Sequence, residues 1–229
     1  MDHPTRLVTA PGAGLFRRLA RQPVWLLVPL ALALAGCATT TTETRDTSNI
    51  RSALERGDCR AAHGELEANL AQTDVDTGLQ VAHLCLQRGE FERARDLAAD
   101  LSREHPEHTD RDFAAYLEGL ARLGIWNRAS GLPADKRLDR GRELFLFLAN
   151  FLDEHATSRY TESLAPRLAR LREDIAMIEL ALAEAAAEEG RTEEASARLR
   201  YVREHYPGTA AAETAAGRLD EDTSDGEMP

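Results

Sequence analysis

Histidine and glutamate side chains occur together at residues 104–108, Glu-His-Pro-Glu-His, a combination that can bind metal ions or transfer protons. The pair Glu-His recurs at 154–155 and 204–205, and such recurrence indicates a polar pair at the end of a repeating unit. A metal site also requires fixed ligand geometry and supporting contacts. We therefore predict no metal or other cofactor.

Other catalytic signatures are missing from the printed sequence as well. It holds no Gly-x-Ser-x-Gly, no phosphate-binding loop, no Cys-x-x-Cys and no His-Glu-x-x-His. The formal net charge of −11 argues against a nucleic-acid partner, and a hydrophobic fraction of 43% excludes a wholly disordered chain. We predict a folded, non-enzymatic protein, against the alternative of an envelope enzyme that uses the Glu and His side chains.

The first 36 residues are typical of an export signal, with four arginines ahead of an apolar run at 23–35. This run is shorter than the roughly 20 residues that a membrane-spanning helix needs. It ends in Leu-Ala-Gly-Cys at 34–37, which resembles the lipobox of bacterial lipoproteins. The resemblance implies cleavage before Cys37, acylation of its thiol and, because Ala38 follows, an outer-membrane address. The alternative is an ordinary signal peptide with an unrelated cysteine.

After acylation of Cys37, two cysteines remain, Cys59 and Cys85. The exported chain meets an oxidising compartment, in which cysteines pair, and both fall at the same height of a predicted helical hairpin. Packed helix axes lie about 8–10 Å apart, so inward-facing positions reach each other. Sequence alone leaves two readings open, a disulfide or two small buried core residues.

Apolar residues recur at helical spacing along residues 49–207, for example Leu168, Leu171, Ile175, Ile178 and Leu182. No segment alternates long enough for a strand, so the fold class is all-α. Predicted helices span 49–56, 58–71, 75–88, 90–104, 109–123, 138–154, 160–189 and 191–205. Residues 37–48 follow no apolar period and are predicted to be a flexible tether.

Internal repetition is visible in two segments that share a glycine, a following alanine and a closing proline, at 89–106 and 190–207, and Gly57 opens a third. This pattern resembles the tetratricopeptide repeat, whose helix-turn-helix units stack into a right-handed superhelix. We expect about four units over 49–207, an insertion at 125–137 and an acidic disordered tail at 208–229. Trp126, in the insertion, either packs on the core or anchors a partner.

A more specific resemblance joins the long helix around Arg167–Ala183 to Gly190 and Tyr206-Pro207. This combination, together with Tyr-Leu-Glu-Gly-Leu at 116–120, resembles the BamD-type lipoproteins. That family implies five repeats, an outer-membrane lipid anchor, and protein partners that include the barrel-assembly outer-membrane protein, accessory lipoproteins and unfolded outer-membrane proteins. Its last repeat places an arginine nine residues before the closing proline, at a partner-docking face, and the matching residue is Arg198.

The chain departs from this family at defined positions. Ala185 and Ala186 replace a pair of tyrosines, and the first unit lacks its closing Tyr-Pro. Two functional readings therefore stay open: a scaffold of outer-membrane protein assembly on the periplasmic face of the membrane, or a repeat lipoprotein of another envelope machine, such as cell-wall synthesis, division or pilus assembly. Arg198 is either a docking residue or a solvated arginine.

Overall fold

The computed structural model describes the backbone of residues 43–69 and 73–225, and the side chains of 48–69 and 73–221. Within these ranges the chain forms helices and no strand, so the all-α prediction is confirmed. The predicted signal peptide and Cys37 lie outside the described residues. The helices are α1 (Glu43–Arg56), α2 (Cys59–Ala68), α3 (Val75–Gln87), α4 (Phe91–Glu104), α5 (Arg111–Arg128), α6 (Ala134–Glu154), α7 (Thr161–Glu188), α8 (Thr192–His205) and α9 (Ala210–Asp225).

Helix boundaries follow from capping and turn chemistry. Asp58 and Asp74 precede α2 and α3, and each carboxylate accepts a backbone N–H of the first turn, which satisfies a donor that the helix itself leaves unpaired. Gly57, Gly89 and Gly190 have φ of 68°, 74° and 76°, values that side chains disfavour. The prediction that these glycines turn the chain between paired helices is confirmed.

Consecutive helices form antiparallel pairs, and each pair packs on the next. The buried apolar residues fall into two clusters, one in the first two and a half pairs and one in the rest. Leu117 of α5 belongs to the first cluster and Trp126, later in the same helix, to the second. Helix α5 therefore joins the two halves of the core, as expected for stacked tetratricopeptide-like units.

The predicted disordered tail is wrong for most of its length. Helix α9 occupies 210–225, and the side chains of Ala211, Ala212 and Ala215 are buried against the preceding helices. A segment rich in alanine shows little apolar periodicity in its sequence, but the small side chain of alanine allows helices to pack closely. The outward residues of α9 are polar, which suits the last helix of a repeat stack.

Two further boundaries differ from the predictions. Helix α5 continues to Arg128 and α6 begins at Ala134, so the expected insertion at 125–137 is helical at both ends. Burial of Trp126 and Leu138 on the common core extends both helices. Helix α1 begins at Glu43, so part of the segment 37–48, which was predicted to be a flexible tether, is helical. The helix therefore starts before its own buried residues, Ile50 and Ala53.

Among the described residues, we find no helix with the combined length and apolarity that crossing a bilayer would require.

Candidate functional site

Arg198 lies in a network of charges that the sequence patterns did not reveal. Its Nη1 is 3.1 Å from Oε2 of Glu179, and its Nε donates to Oε1 of Glu194 at 3.0 Å. The other oxygen of Glu179 accepts a hydrogen bond from Nη2 of Arg142. One carboxylate of α7 therefore holds arginines of α6 and α8.

The burial of these groups is uneven. The side chain of Glu179 is 3% exposed, whereas those of Arg142 and Arg198 are 40% and 32% exposed. Burial of a carboxylate is costly unless opposite charges and hydrogen bonds compensate for the lost water, and the two guanidinium groups supply both. Nη2 of Arg198 has no partner among the hydrogen bonds and ion pairs of the described residues. Arg198 is thus both a structural partner of Glu179 and a residue that presents a donor to the surface.

Tyr206, from the Tyr-Pro segment, belongs to the same network. Burial raises the pKa of Tyr206, although its hydrogen bond with Arg142 acts in the opposite direction, so the phenol stays protonated. Burial by itself would lower the pKa of Arg142, but the hydrogen bond with Tyr206 and the charge of Glu179 raise it. The guanidinium also lies over the ring of Tyr201, 5.4 Å from its centroid. A sequence signal for Glu179 alone existed: it lies four residues after Ile175 and four before Ala183, and so on the apolar face of the helix.

A second group of side chains, the aromatic cluster, consists of His83, Phe113, Tyr116 and Tyr160. The rings of Tyr116 and Tyr160 stack at 4.4 Å, those of Phe113 and Tyr160 at 5.3 Å, and His83 meets Phe113 edge-on at 5.9 Å. The cluster joins α3, α5 and the turn before α7; Phe113, Tyr116 and Tyr160 are half-buried, and His83 is exposed. Half-buried aromatic rings offer apolar area at low entropic cost to a bound chain.

Cys59 and Cys85 are joined by a disulfide in the structure, and their Cα atoms are 4.9 Å apart. Both residues are buried, with relative exposures of 3% and 0%. The bond links the start of α2 to the end of α3, and therefore the first helical pair to the second. This geometry matches the disulfide rather than the alternative of two separate core thiols.

Trp126 packs in the core and does not stand out as an anchor. It is 4% exposed, and its ring lies so close to Gly141 that an added Cβ there would be 2.8 Å from it. Arg137 covers the ring face at 4.7 Å. Of the two hypotheses, packing on the core or contact with a partner, the structure supports packing on the core.

His108 approaches carboxylates, but not those of its own sequence cluster. Ligand atoms of Asp76, His108 and Asp110 lie within 4.8 Å of one another. The backbone N–H of Asp110 donates to Nδ1 of His108 at 3.2 Å, which leaves the ring proton on Nε2, 3.7 Å from Asp76. A metal ion would need an unprotonated nitrogen at that position. The arrangement ties α3 to the turn before α5, and Glu104 and Glu107 take no part in it.

Paired antiparallel helices, each pair stacked on the next, define a helical-repeat protein-binding scaffold. The family model described as YfiO, outer membrane lipoprotein, matches residues 44–222, which is well over half of the chain. The chain therefore belongs to this family of outer-membrane lipoproteins, the family of the BamD-type proteins, whose members are non-catalytic scaffolds. A comparison with curated proteins finds no match.

Proposed function

We propose that this protein is a BamD-like scaffold lipoprotein that serves outer-membrane protein assembly, as a divergent member of its family. A lipid on Cys37 anchors it in the outer membrane, and the repeat domain faces the periplasm. Two or more acyl chains suffice for stable anchoring without a spanning helix. Its partners are the barrel-assembly outer-membrane protein, accessory lipoproteins and unfolded outer-membrane chains.

The observation that carries the proposal is the family match over 44–222, combined with the position of Arg198. Arg198, to which the resemblance assigns docking, is held in one orientation by Glu179 and Glu194, and its Nη2 is left for a partner. A side chain that is ordered before binding loses less conformational entropy on binding. Arg198 is therefore suited to a docking role as well as to its internal one.

The aromatic cluster supports a role for α5 and the turn before α7 in contacting unfolded chains. Phe113 and Tyr116 of α5 and Tyr160 before α7 form a continuous stacked surface. Unfolded outer-membrane proteins expose aromatic and aliphatic side chains in extended segments. Such segments would pack on these rings while their backbone remains free for hydrogen bonds.

The test is affinity purification of the tagged full-length chain from the envelope of its own organism. Co-purification of the barrel-assembly protein, lost when Arg198 is replaced, is the expected result. Recovery of cell-wall, division or pilus proteins in place of the barrel-assembly protein would contradict the proposal and favour a scaffold for another envelope machine. Because Ala185 and Ala186 replace the family's pair of tyrosines, the experiment must distinguish these two classes of partner.

A further inference from the structure

A cleft lies between α2 and α4, above the N-terminal half of α3, and encloses about 730 Å³. Cavities of roughly 300–1,000 Å³ are typical of sites that hold one ligand or a few side chains. The residues of the network around Glu179 lie on other helices, α6, α7 and α8. The cleft is therefore a separate surface, and its role does not rest on the proposed function.

The floor of the cleft is apolar and tightly packed. Leu66 of α2 and Leu97 of α4 line it and are 2% and 6% exposed. Gly78 of α3 brings the helices together, because a Cβ at this position would meet the methyl groups of Leu101 at 3.0 Å. The floor is thus part of the α3–α4 packing, and it is formed before any partner arrives.

The rim of the cleft is acidic. Among the described residues, five carboxylates and two histidines, His63 and His105, line it, and the one lining arginine, Arg93, is held by Glu90 at 2.6 Å. The carboxylates belong to Glu67, Asp74, Asp96, Asp100 and Glu104.

Other charges near the rim reduce its acidity only in part. Arg95 pairs with Asp96 at 2.7 Å and Arg103 with Asp100 at 2.6 Å, but neither arginine lines the cleft. Glu104 also lies 3.8 Å from Arg103, and Glu67 lies 3.5 Å from His63. Exposed pairs of this kind contribute little to stability, so a stronger partner can replace them. The backbone N–H of Thr77 lowers the pKa of Asp74, so this carboxylate keeps its charge to a lower pH than an ordinary aspartate does.

We propose that this cleft docks a segment of a protein partner in which arginine or lysine flanks an aliphatic side chain. The aliphatic group would occupy the floor over Leu66 and Leu97, and the cationic groups would meet the carboxylates of the rim. An anionic lipid headgroup does not suit the site, because the rim would repel it. Complementary charge across such an interface sets specificity and the association rate.

The probe for the test is a short fluorescent peptide in which leucine alternates with arginine, added to the full-length protein in detergent. Two peptides serve as comparisons, one with leucine and glutamate and one with serine and arginine. We expect saturable binding of the leucine-arginine peptide alone. Methyl NMR signals of Leu66 and Leu97 should shift as it binds.

Two charge-reversal variants decide where the peptide binds. Asp96→Lys with Asp100→Lys reverses half-exposed rim charges, and affinity should fall by about tenfold or more, as for charges at an interface. The matched control, Asp139→Lys with Asp153→Lys, changes net charge equally on the exposed face of α6 and should bind as the unchanged protein does. Circular dichroism checks that both variants fold.

The proposal is overturned if both double variants lose affinity equally, since binding would then reflect net charge alone. Equal affinity for the serine-arginine peptide would remove the role of the apolar floor. Shifts confined to leucines outside the cleft, or no binding of any peptide, would equally contradict it.

Discussion

Arg172 and Glu173, consecutive residues of α7, hold the two sides of the turn between α8 and α9. Arg172 donates to the carbonyl oxygens of Pro207 at 3.0 Å and His205 at 3.4 Å, where α8 ends. Glu173 accepts the backbone N–H of Ala210 at 3.1 Å, where α9 begins. A cation thus faces the negative end of one helix and an anion the positive end of the next.

We expect the double variant Arg172→Ala with Glu173→Ala to loosen α9. Each contact to a helix end contributes about 0.3–1 kcal/mol at an exposed site, so the global fold should survive. Hydrogen exchange should become faster at the amides of Ala211, Ala212 and Ala215, while those of α3 keep their protection. Arg170→Ala, a change of an exposed residue on the same helix, is the control. Equal exchange rates in the two variants would show that the contacts of Arg172 and Glu173 do not hold α9 in place.

Replacement of Arg198 should separate its two roles. Glu179 keeps Arg142 as a partner, so Arg198→Ala should cost about 2 kcal/mol of unfolding free energy, less than the roughly 3–5 kcal/mol of a buried charge left without any partner. Arg198→Glu should cost more, because it places a second carboxylate beside Glu179. Urea unfolding measures both values, and Arg200→Glu, on the exposed side of α8, should leave stability near that of the original chain.

The same residues test the docking role in binding experiments with the periplasmic part of the barrel-assembly protein. Arg198→Glu should weaken binding by about 1–3 kcal/mol, as for a charged contact at an interface, and Arg200→Glu should not. Glu179→Gln removes the buried charge but keeps the guanidinium of Arg198, so it should reduce stability more than affinity. Equal affinities of the Arg198 and Arg200 variants would assign Arg198 an internal role alone.

The disulfide between Cys59 and Cys85 should stabilise the oxidised chain against unfolding. It closes a separation of 26 residues, and the loop-entropy model assigns about 3 kcal/mol to a closure of this size. Reductant should therefore lower the unfolding temperature, and the variant Cys59→Ser with Cys85→Ser should not respond to it. Thiol counting on denatured, unreduced protein from the periplasm is the direct measurement, and two free thiols per chain would rule the bond out.

Acid should weaken the cap of α3. The backbone N–H of Thr77 lowers the pKa of Asp74 in the folded state, so the cap contributes its full stability above the ordinary aspartate pKa and loses it as the pH falls through the lowered value. Near neutral pH, Asp74→Ala should cost about 1 kcal/mol. That difference should shrink below about pH 4, as measured by urea unfolding at each pH, whereas an unchanging difference would exclude the charge of Asp74 as its cause.

Lipidation of Cys37 can be tested in cells by labelling with palmitate. Cys37→Ala should abolish the label and release the chain from the outer-membrane fraction, because no other anchoring element was predicted from the sequence. The label should persist in the variant Cys59→Ser with Cys85→Ser. A labelled, membrane-bound Cys37→Ala protein would contradict the lipobox prediction.

Local sequence patterns determined the helical class, the pairing of helices and the glycine turns at 57, 89 and 190. These features depend on spacing within one or two turns, which a sequence displays directly. They did not reveal that α9 is ordered, since its burial rests on alanines and on contacts with Arg172 and Glu173 of α7. The predicted insertion at 125–137 was wrong for a similar reason, because the burial of Trp126 and Leu138 in one core cluster is a tertiary property.

Tertiary structure alone decided which charges meet. Arg142, Glu179 and Arg198 come from three helices, and no local spacing encodes their convergence on one carboxylate. The acidic cleft also exists because α2 and α4 stand apart over α3, a relation between whole helices. Helical periodicity records which face of each helix is buried, whereas the partner that covers this face depends on how the helices stack.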